Sequence, residues 1–265
     1  MSILKSINPA NEQMFAEFKQ MSLTKVKQII LESSKAQNRW TEVDIRNRIQ
    51  IISKVKKMIL GNKRQYAETI TSEMGKPISE SMAEIEKCAS LCEYYEDNSE
   101  EFLRDKYLKS NAVTSFVSYE SLGVIFGIMP WNFPFWQVFR FAVPAIIAGN
   151  STLIKHAPNV QGSAIAIEKI FHAAGLPKDV FRILMIDIDI IPEIISDKMI
   201  KAVSLTGSEF AGSKVAECSG KNLKKTVLEL GGADAFVVLD AANLVKCVDS
   251  AIKGRMLNNG QSCIA

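Results

Sequence analysis

The sequence predicts an α/β protein in which N-terminal helices precede a parallel sheet of βαβ units. Apolar residues recur at helical spacing through residues 23–97, and from residue 122 onwards short apolar strands take turns with helices. The composition fits one large globular domain or two modest ones, because 47% of the 265 residues are hydrophobic and 23% are charged.

The order of the elements follows from these patterns. Helices are predicted at 23–40, 41–60, 63–75 and 78–97, in a segment that begins at Pro134, and at 161–175, 189–197, 208–220 and 242–257. Strands are predicted at 112–121, 122–129, 151–156, 180–186, 201–207, 225–230 and 234–240. Charged residues on the first four helices are interpreted as solvent-facing and not as binding patches.

Charge and hydropathy exclude several classes of partner. The net charge of +3 is too small to indicate binding to nucleic acid or to an anionic membrane surface. The longest apolar stretch, near residues 141–150, is too short to span a bilayer, and the N-terminus lacks the apolar core of a secretion signal. The sequence therefore predicts a cytoplasmic protein.

The five cysteines are predicted to be free thiols in a reducing compartment, because their number is odd. Cys88 and Cys92 are four residues apart on a predicted helix and share one face of it. A metal site there would need two more ligands, and the two histidines, His156 and His172, lie far away in the sequence. We therefore predict two structural thiols and no metal site.

A glycine turn provides a candidate site for an anion. The stretch 201-KAVSLTGSEFAGSKV-215 predicts a strand that runs into Thr206-Gly207-Ser208, where a helix begins. Free backbone N–H groups and the helix dipole make such a turn able to bind a phosphate. The spacing is not GxGxxG, and the alternative is an ordinary turn in which Ser208 caps the helix.

A second candidate is the loop 130-PWNFP-134 and the helix after it. The two prolines fix the chain around Asn132. An amide held in an apolar frame suits the stabilisation of an oxyanion, although a turn asparagine more often bonds to its own backbone. Eight residues on, Arg140 lies in an almost wholly apolar helix. Its guanidinium needs a partner, either a structural carboxylate or the carboxylate of a substrate.

Three further side chains suggest chemistry. Lys155 is near the end of a predicted strand, where it can reach a ribose or phosphate or extend to water. Glu229 closes another strand; a partly buried carboxylate there could act as a general base, and the alternative is a surface glutamate at a sheet edge. Cys263 lies in 258-NNGQSCIA-265, a small, polar setting that suits a reactive thiol, although a loop cysteine is more often inert.

Together and in this order, PWNFP, the strand-end lysine, TGS-x-x-x-G, ELGG and GQSC resemble the aldehyde dehydrogenase superfamily, from INPAN near the start to the final GQSCIA. The resemblance implies a variant Rossmann cofactor domain at 1–111 and 130–230. It implies part of an oligomerisation hairpin at 112–129 and the start of a catalytic domain at 231–265. Relatives are nearly twice as long, so it also implies an N-terminal fragment whose catalytic domain is truncated.

The resemblance further implies a role for each candidate residue. Cys263 would attack the aldehyde carbon, Asn132 and the Cys263 backbone N–H would hold the oxyanion, and Glu229 would activate the water that hydrolyses the thioester. NAD or NADP would accept the hydride; Pro158 stands where NAD-preferring relatives often carry glutamate, so both stay open. The residues expected to hold the cofactor are Trp131, Asn132, Lys155, Gly207, Ser208 and Leu230.

The resemblance is strongest to the short succinate-semialdehyde dehydrogenase group. Relatives acting on succinate semialdehyde carry an arginine at the place of Arg140 for the distal carboxylate, and the runs KHA and MPWNFPFWQVFR are similar to that group. We therefore expect oxidation of succinate semialdehyde to succinate, with homo-oligomers as in full-length relatives. A chain cut beside its cysteine is expected to be poorly active. The alternatives are a non-catalytic dinucleotide-binding remnant and one half of a split enzyme with a separate C-terminal half.

Overall fold

The computed structural model describes residues 3–264. Its helices are α1 (Leu23–Trp40), α2 (Ile45–Gly61), α3 (Lys63–Met74), α4 (Ile78–Phe102), α5 (Trp136–Ile147), α6 (Gln161–Ala173), α7 (Ile191–Ser196), α8 (Glu209–Lys221) and α9 (Leu244–Met256). Its strands are β1 (Ile3–Asn8), β2 (Gln13–Lys19), β3 (Lys106–Tyr107), β4 (Phe116–Val117), β5 (Val124–Met129), β6 (Ser151–His156), β7 (Phe181–Ile183), β8 (Ile200–Thr206) and β9 (Lys225–Glu229). The predicted α/β class is confirmed.

The first four helices begin and end where local chemistry favours it. The side chain of Ser22 accepts a hydrogen bond from the Lys25 N–H and caps α1. Gly75 adopts a φ of +86° and ends α3, as predicted from the sequence. α4 continues five residues beyond the predicted end at 97, to Phe102. These helices pack with α5 and α6 around one large apolar cluster.

The central sheet has five parallel strands in the order β7-β6-β5-β8-β9. Every residue of β5 and of β6 is buried, because helices cover both faces of the sheet. One apolar cluster joins the sheet mainly to α2–α6, and a second joins it to α1, α7 and α8. β9 is an edge strand and alternates between exposed and half-buried residues.

Three predictions about strands are wrong in part. Of residues 112–121, only Phe116–Val117 forms a strand, which pairs with the two residues of β3. Residues 124–129 form the middle strand of the central sheet, whereas the resemblance assigned 112–129 to a separate pair of strands. Residues 234–240 form no strand, because nothing in the described part of the chain pairs with them and their side chains are exposed. The strands β1 and β2, an antiparallel hairpin, were not predicted.

The interpretation of the helix charges as solvent-facing is wrong for two glutamates. Glu73 of α3 and Glu84 of α4 are 2% and 3% exposed. Each carboxylate is saturated by hydrogen bonds: Glu73, for example, accepts from the N–H groups of Gly162 and Ser163 at 2.7 and 2.8 Å. Burial is tolerated because donors replace water around the charge.

The predicted free thiols at positions 88 and 92 agree with the structure. Cys88 and Cys92 are buried and unbridged. Burial raises the pKa of the Cys88 thiol well above its ordinary value and that of the Cys92 thiol to about 12. Residues 3–264 contain no cluster of three or more potential metal ligands. Within the same range, none of the helices combines the length and hydropathy needed to cross a bilayer.

Candidate active site

The residues predicted to act together lie near the carboxyl ends of the sheet strands. β5 ends just before the Asn132 loop, and the last two residues of β6 include Lys155. β8 ends just before Gly207, and β9 ends at Glu229. Because these strands run parallel, the four ends meet at one edge of the sheet, where ligands of such folds bind. Cys263 reaches this edge from the segment after α9, where it shares a cavity with Asn132 and Gly207.

The Asn132 loop is bonded directly to the thiol loop, which is residues 257–263. The Asn132 side-chain Nδ2 donates to the carbonyl oxygen of Gln261 at 2.7 Å. Its Oδ1 accepts from the Phe133 N–H at 3.1 Å. The amide thus makes the local hydrogen bond of a turn asparagine and also bonds to Gln261, two residues before Cys263. Cys263 itself is exposed.

Two cavities meet at Cys263. The arginine cavity, of about 340 Å³, has among its lining residues Lys87, Phe133, Trp136, Gln137, Arg140 and Cys263. The glycine cavity, of about 330 Å³, has among its lining residues Trp131, Asn132, Gly207, Ser208, Leu230 and Cys263. The structure therefore brings five of the six residues predicted to hold a cofactor into one cavity beside the thiol, and the arginine into the other.

Arg140 contacts a second candidate residue. Its Nη1 lies 3.4 Å from the Glu229 carboxylate, and its Nη2 donates to the Thr206 hydroxyl at 3.2 Å. The Arg140 side chain is 35% exposed and that of Glu229 is 54% exposed. The partly buried carboxylate considered for Glu229 is therefore not found, because this residue ends an edge strand. Of the two alternatives for Arg140, the structure has a carboxylate of the protein as its partner. Of the two alternatives for Glu229, the structure has a surface glutamate at the edge of the sheet.

The glycine turn opens α8 as predicted. Ser208 caps this helix, since its hydroxyl accepts from the Ala211 N–H at 3.2 Å. A Cβ on Gly207 would meet only the Leu205 side chain, at 3.6 Å, so the backbone of the turn lies open to the cavity. A Cβ on Gly212 would lie 2.6 Å from a methyl carbon of Leu230, so this glycine lets the helix pack against the cavity wall. The N-terminus of α8 can therefore attract an anion.

Lys155 is the candidate residue that the structure separates from the others. Its side chain is 7% exposed and it does not line the glycine cavity. Burial lowers the pKa of the Lys155 ammonium, and the charge of Asp187 partly offsets that shift. Buried and near the end of β6, it is held within the sheet edge and does not extend into water.

Several polar residues of the site were missed by the sequence analysis. Gln137 is 3% exposed and lines both cavities, and its Oε1 has no hydrogen-bond partner among the described residues. Lys87 lines the arginine cavity, with its Nζ 4.0 Å from the ring centroid of Trp136. A polar residue in the apolar helix α5 was the available signal for Gln137. Lys87 had no comparable signal, because it lies among other charged residues of a helix.

His156 was also missed as a structural support of the Asn132 loop. Its Nδ1 accepts from the Ala157 N–H at 2.9 Å, so Nε2 carries the proton and donates to the Pro134 carbonyl at 2.8 Å. The ring is 1% exposed. Burial lowers its pKa to about 4, which keeps the imidazole neutral near neutral pH.

Comparisons with known proteins show which proteins this chain is similar to. The family model described as "Aldehyde dehydrogenase family" matches residues 2–265. A probable succinate-semialdehyde dehydrogenase [NADP(+)] of Synechocystis sp. is 43% identical over 99% of this chain and 58% of its own length. Succinate semialdehyde dehydrogenase [NAD(P)+] Sad of Escherichia coli is 39% identical over 98% of this chain and 56% of its own.

Solved structures have the same fold. The structure of Gox0499 matches with a TM-score of 0.97 and 38% identity, over 99% of this chain and 58% of that one. Succinic semialdehyde dehydrogenase from Streptococcus pyogenes, in complex with NADP+, matches with a TM-score of 0.95 and 33% identity, over 98% and 57%. The chain thus spans 56–58% of the length of these four proteins. It belongs to the aldehyde dehydrogenase family.

Proposed function

We propose that the protein takes part in the NAD(P)-dependent oxidation of succinate semialdehyde to succinate. The observation that carries this proposal is the convergence of Asn132, Gly207 and Cys263 on one cavity at the ends of the parallel strands. Similarity to proteins named as succinate-semialdehyde dehydrogenases supports the same activity. The cytoplasm and a homo-oligomeric state stay predictions.

The glycine cavity fits a dinucleotide. The open backbone at Gly207 and the N-terminus of α8 suit a pyrophosphate, and Trp131 and Leu230 offer apolar surface to the rings. When bound, NAD(P)+ supplies the acceptor for the hydride that leaves the substrate carbon. Lys155 is buried near the end of β6 and does not line this cavity, so its proposed contact with the adenosine ribose would lie outside the cavity.

The chemistry at carbon falls to the chain's own residues. The thiolate of Cys263 attacks the aldehyde carbon, and the Asn132 amide stabilises the oxyanion that forms. Loss of the hydride leaves a thioester on Cys263. Water then attacks the thioester carbon while Glu229 accepts its proton, which releases succinate and the thiol.

The arginine cavity suits a substrate with a distal carboxylate. Arg140 lines it, and its contact with Glu229 is long and partly exposed, so that a bound carboxylate can compete for the guanidinium. Lys87 adds a second positive charge to the same wall. A carboxylate drawn to these cations leaves the aldehyde end of a short chain to approach Cys263.

A second candidate function is that of a dinucleotide-binding remnant or one half of a split enzyme. The exposure of Cys263 and Glu229 favours it, and so does α9, which has no buried residue. In that case a separate C-terminal half would cover α9 and enclose the thiol.

The test measures both turnover and binding with the purified chain. With succinate semialdehyde and NAD+ or NADP+, the chain should form NADH or NADPH slowly. This activity should be abolished in Cys263→Ser and retained in the matched control Cys218→Ser. Replacing Arg140 with Met should lower turnover of succinate semialdehyde and spare that of butanal. Cofactor binding without turnover would favour the second candidate, and the absence of both would refute the first.

A further inference from the structure

We propose that Lys76, Glu84 and Asn258 form a positioning network that aligns the Asn132 amide with the thiol loop. The proposal rests on the proposed function, because it assigns the alignment of the oxyanion donor and the nucleophile to hydrogen bonds behind them. Glu84 and Asn258 also line the arginine cavity, whereas Lys76 does not. None of the three residues was singled out by the sequence analysis.

The network begins with a buried ion pair. The Lys76 ammonium bonds to the Glu84 carboxylate, and the two side chains are 0% and 1% exposed. Lys76 also donates to the Asn258 Oδ1 at 2.9 Å, and its Nζ lies 4.5 Å from the ring centroid of Phe133. A single cation therefore contacts α4, the thiol loop and the residue next to Asn132.

The carboxylate of this pair fixes the start of α5. Its Oε1 accepts from the N–H groups of Phe135 and Trp136, at 2.7 and 2.8 Å. These two groups have no acceptor of their own in the first turn, because α5 lacks a capping side chain. Glu84 thus holds the segment that follows Asn132, and His156 supports the same segment through the Pro134 carbonyl.

Asn258 carries the constraint into the thiol loop. It is 0% exposed and has a φ of +56°, which asparagine tolerates better than most residues. Because Lys76 occupies Oδ1, the amide nitrogen points the other way and donates to the Asn132 carbonyl at 2.8 Å and to the Gln261 carbonyl at 3.3 Å. Its backbone N–H is held separately by Glu80, at 2.8 Å.

Two amides therefore converge on one carbonyl. The Nδ2 atoms of Asn132 and Asn258 both donate to the oxygen of Gln261, two residues before Cys263. A flipped Asn258 amide would set oxygen against oxygen at both carbonyls and would turn its NH2 group towards the Lys76 ammonium. The two carbonyls and the cation therefore fix the amide together, so that the placement of the thiol loop against Asn132 depends in part on the charge of Lys76.

A buried ion pair is weak support for stability alone, since its desolvation offsets its attraction. The fold should therefore tolerate the removal of both charges far better than the removal of one, which would leave the other charge buried without a partner. The double variant Lys76→Met with Glu84→Gln removes both charges and keeps an acceptor for the α5 N–H groups. This variant separates a role in alignment from a role in folding.

The test compares two reactions of Cys263 in the 265-residue chain. Acylation by p-nitrophenyl acetate passes through a tetrahedral oxyanion and expels p-nitrophenolate, leaving a thioester. Alkylation by iodoacetamide displaces iodide and forms no oxyanion. Mass spectrometry of the peptide that contains Cys263 gives both rates at this thiol alone. The variants are Lys76→Met/Glu84→Gln and the isosteric Asn258→Asp, and the control is Lys63→Met, which removes an ion pair on the surface.

We expect acylation to fall at least about tenfold in both variants with alkylation unchanged, because losing one oxyanion donor costs roughly 100- to 1000-fold. An unchanged ratio of the two rates, or an equal fall in both, would overturn the proposal. A fall in the acylation rate in Asn258→Asp alone would also overturn the proposal, since the Lys76 cation would then have no part in the alignment.

Hydrogen exchange provides a measurement that does not depend on reactivity. Peptides covering 131–137 and 256–263 should exchange faster in both variants than in the parent and in Lys63→Met. Unchanged exchange in both segments would overturn the network. A parent chain that shows no acylation but the expected exchange would count against the proposed function and leave the alignment supported.

Discussion

Acidification should destabilise the folded protein through one buried imidazole, that of His156. The ring is 1% exposed, its Nδ1 accepts from Ala157, and its Nε2 donates to Pro134. Burial is the largest cause of its low pKa; the bond to the Pro134 carbonyl opposes the shift, and the charge of Lys155 adds to it. Protonation would remove the acceptor at Nδ1 and place a charge in an apolar setting.

The size and sign of the effect follow from the two pKa values. The imidazole titrates near 6.5 in the unfolded chain and at about 4 in the folded one. Between these values the unfolded chain binds a proton that the folded chain does not. The free energy of unfolding therefore decreases by about 1.4 kcal/mol for each unit by which the pH is lowered. The stabilisation is fully present above pH 6.5, and about 3 kcal/mol of it is lost by pH 4.

Urea unfolding at a series of pH values measures this loss. His156→Gln keeps a donor for the Pro134 carbonyl and cannot titrate. The parent should therefore lose more stability than this variant on going from about pH 7.5 to about pH 4, by about 3 kcal/mol. His172→Gln, at a half-buried site, serves as the control and should follow the parent. A difference between parent and His156→Gln that does not change with pH would refute the reasoning.

Three further outcomes are expected. Cys88 and Cys92, whose pKa values are raised by burial, should resist maleimide in the native chain and react once urea unfolds it, as peptide mass spectrometry would reveal. Gly212→Val should weaken NADP+ binding in a fluorescence titration and lower stability by roughly 1–3 kcal/mol, because its Cβ would lie 2.6 Å from a methyl carbon of Leu230. Lys87→Met should raise KM for succinate semialdehyde and leave that for butanal unchanged in steady-state assays, since a cation would be lost from the arginine cavity.

Local patterns sufficed where an element has its own apolar stripe and its own end signals. The helices α1 to α4 have such a stripe, and Gly75 ended α3 as expected, whereas α4 lacks an end signal at 97 and continues to Phe102. The hairpin of β1 and β2 escaped prediction because its turn contains no glycine; Glu12 takes the positive φ of 60° instead. Residues 234–240 show the opposite error, since a pattern that suits a strand forms none without a neighbouring strand to pair with.

The candidate site was predictable to the extent that it follows from topology. Once parallel strands were inferred, residues at their carboxyl ends had to meet, and Asn132 and Gly207 do share a cavity. The contact between Arg140 and Glu229 was not foreseeable in the same way. It joins side chains 89 positions apart, and their exposure depends on β9 being an edge strand.

The supports of the site were missed for a reason that points to a usable signal. Two of the five described α-helices that begin without a capping side-chain hydrogen bond are α5, after Phe135, and α6, after Val160. Each is capped instead by a glutamate from another helix, Glu84 for α5 and Glu73 for α6. Both glutamates lie within the buried stripe of their own helix, where a carboxylate costs free energy unless donors surround it. A glutamate in an apolar stripe needs hydrogen-bond donors, and a helix start that lacks a cap needs an acceptor. Matching the two needs across the sequence narrows the candidate contacts to a few pairs, and the fold decides between them.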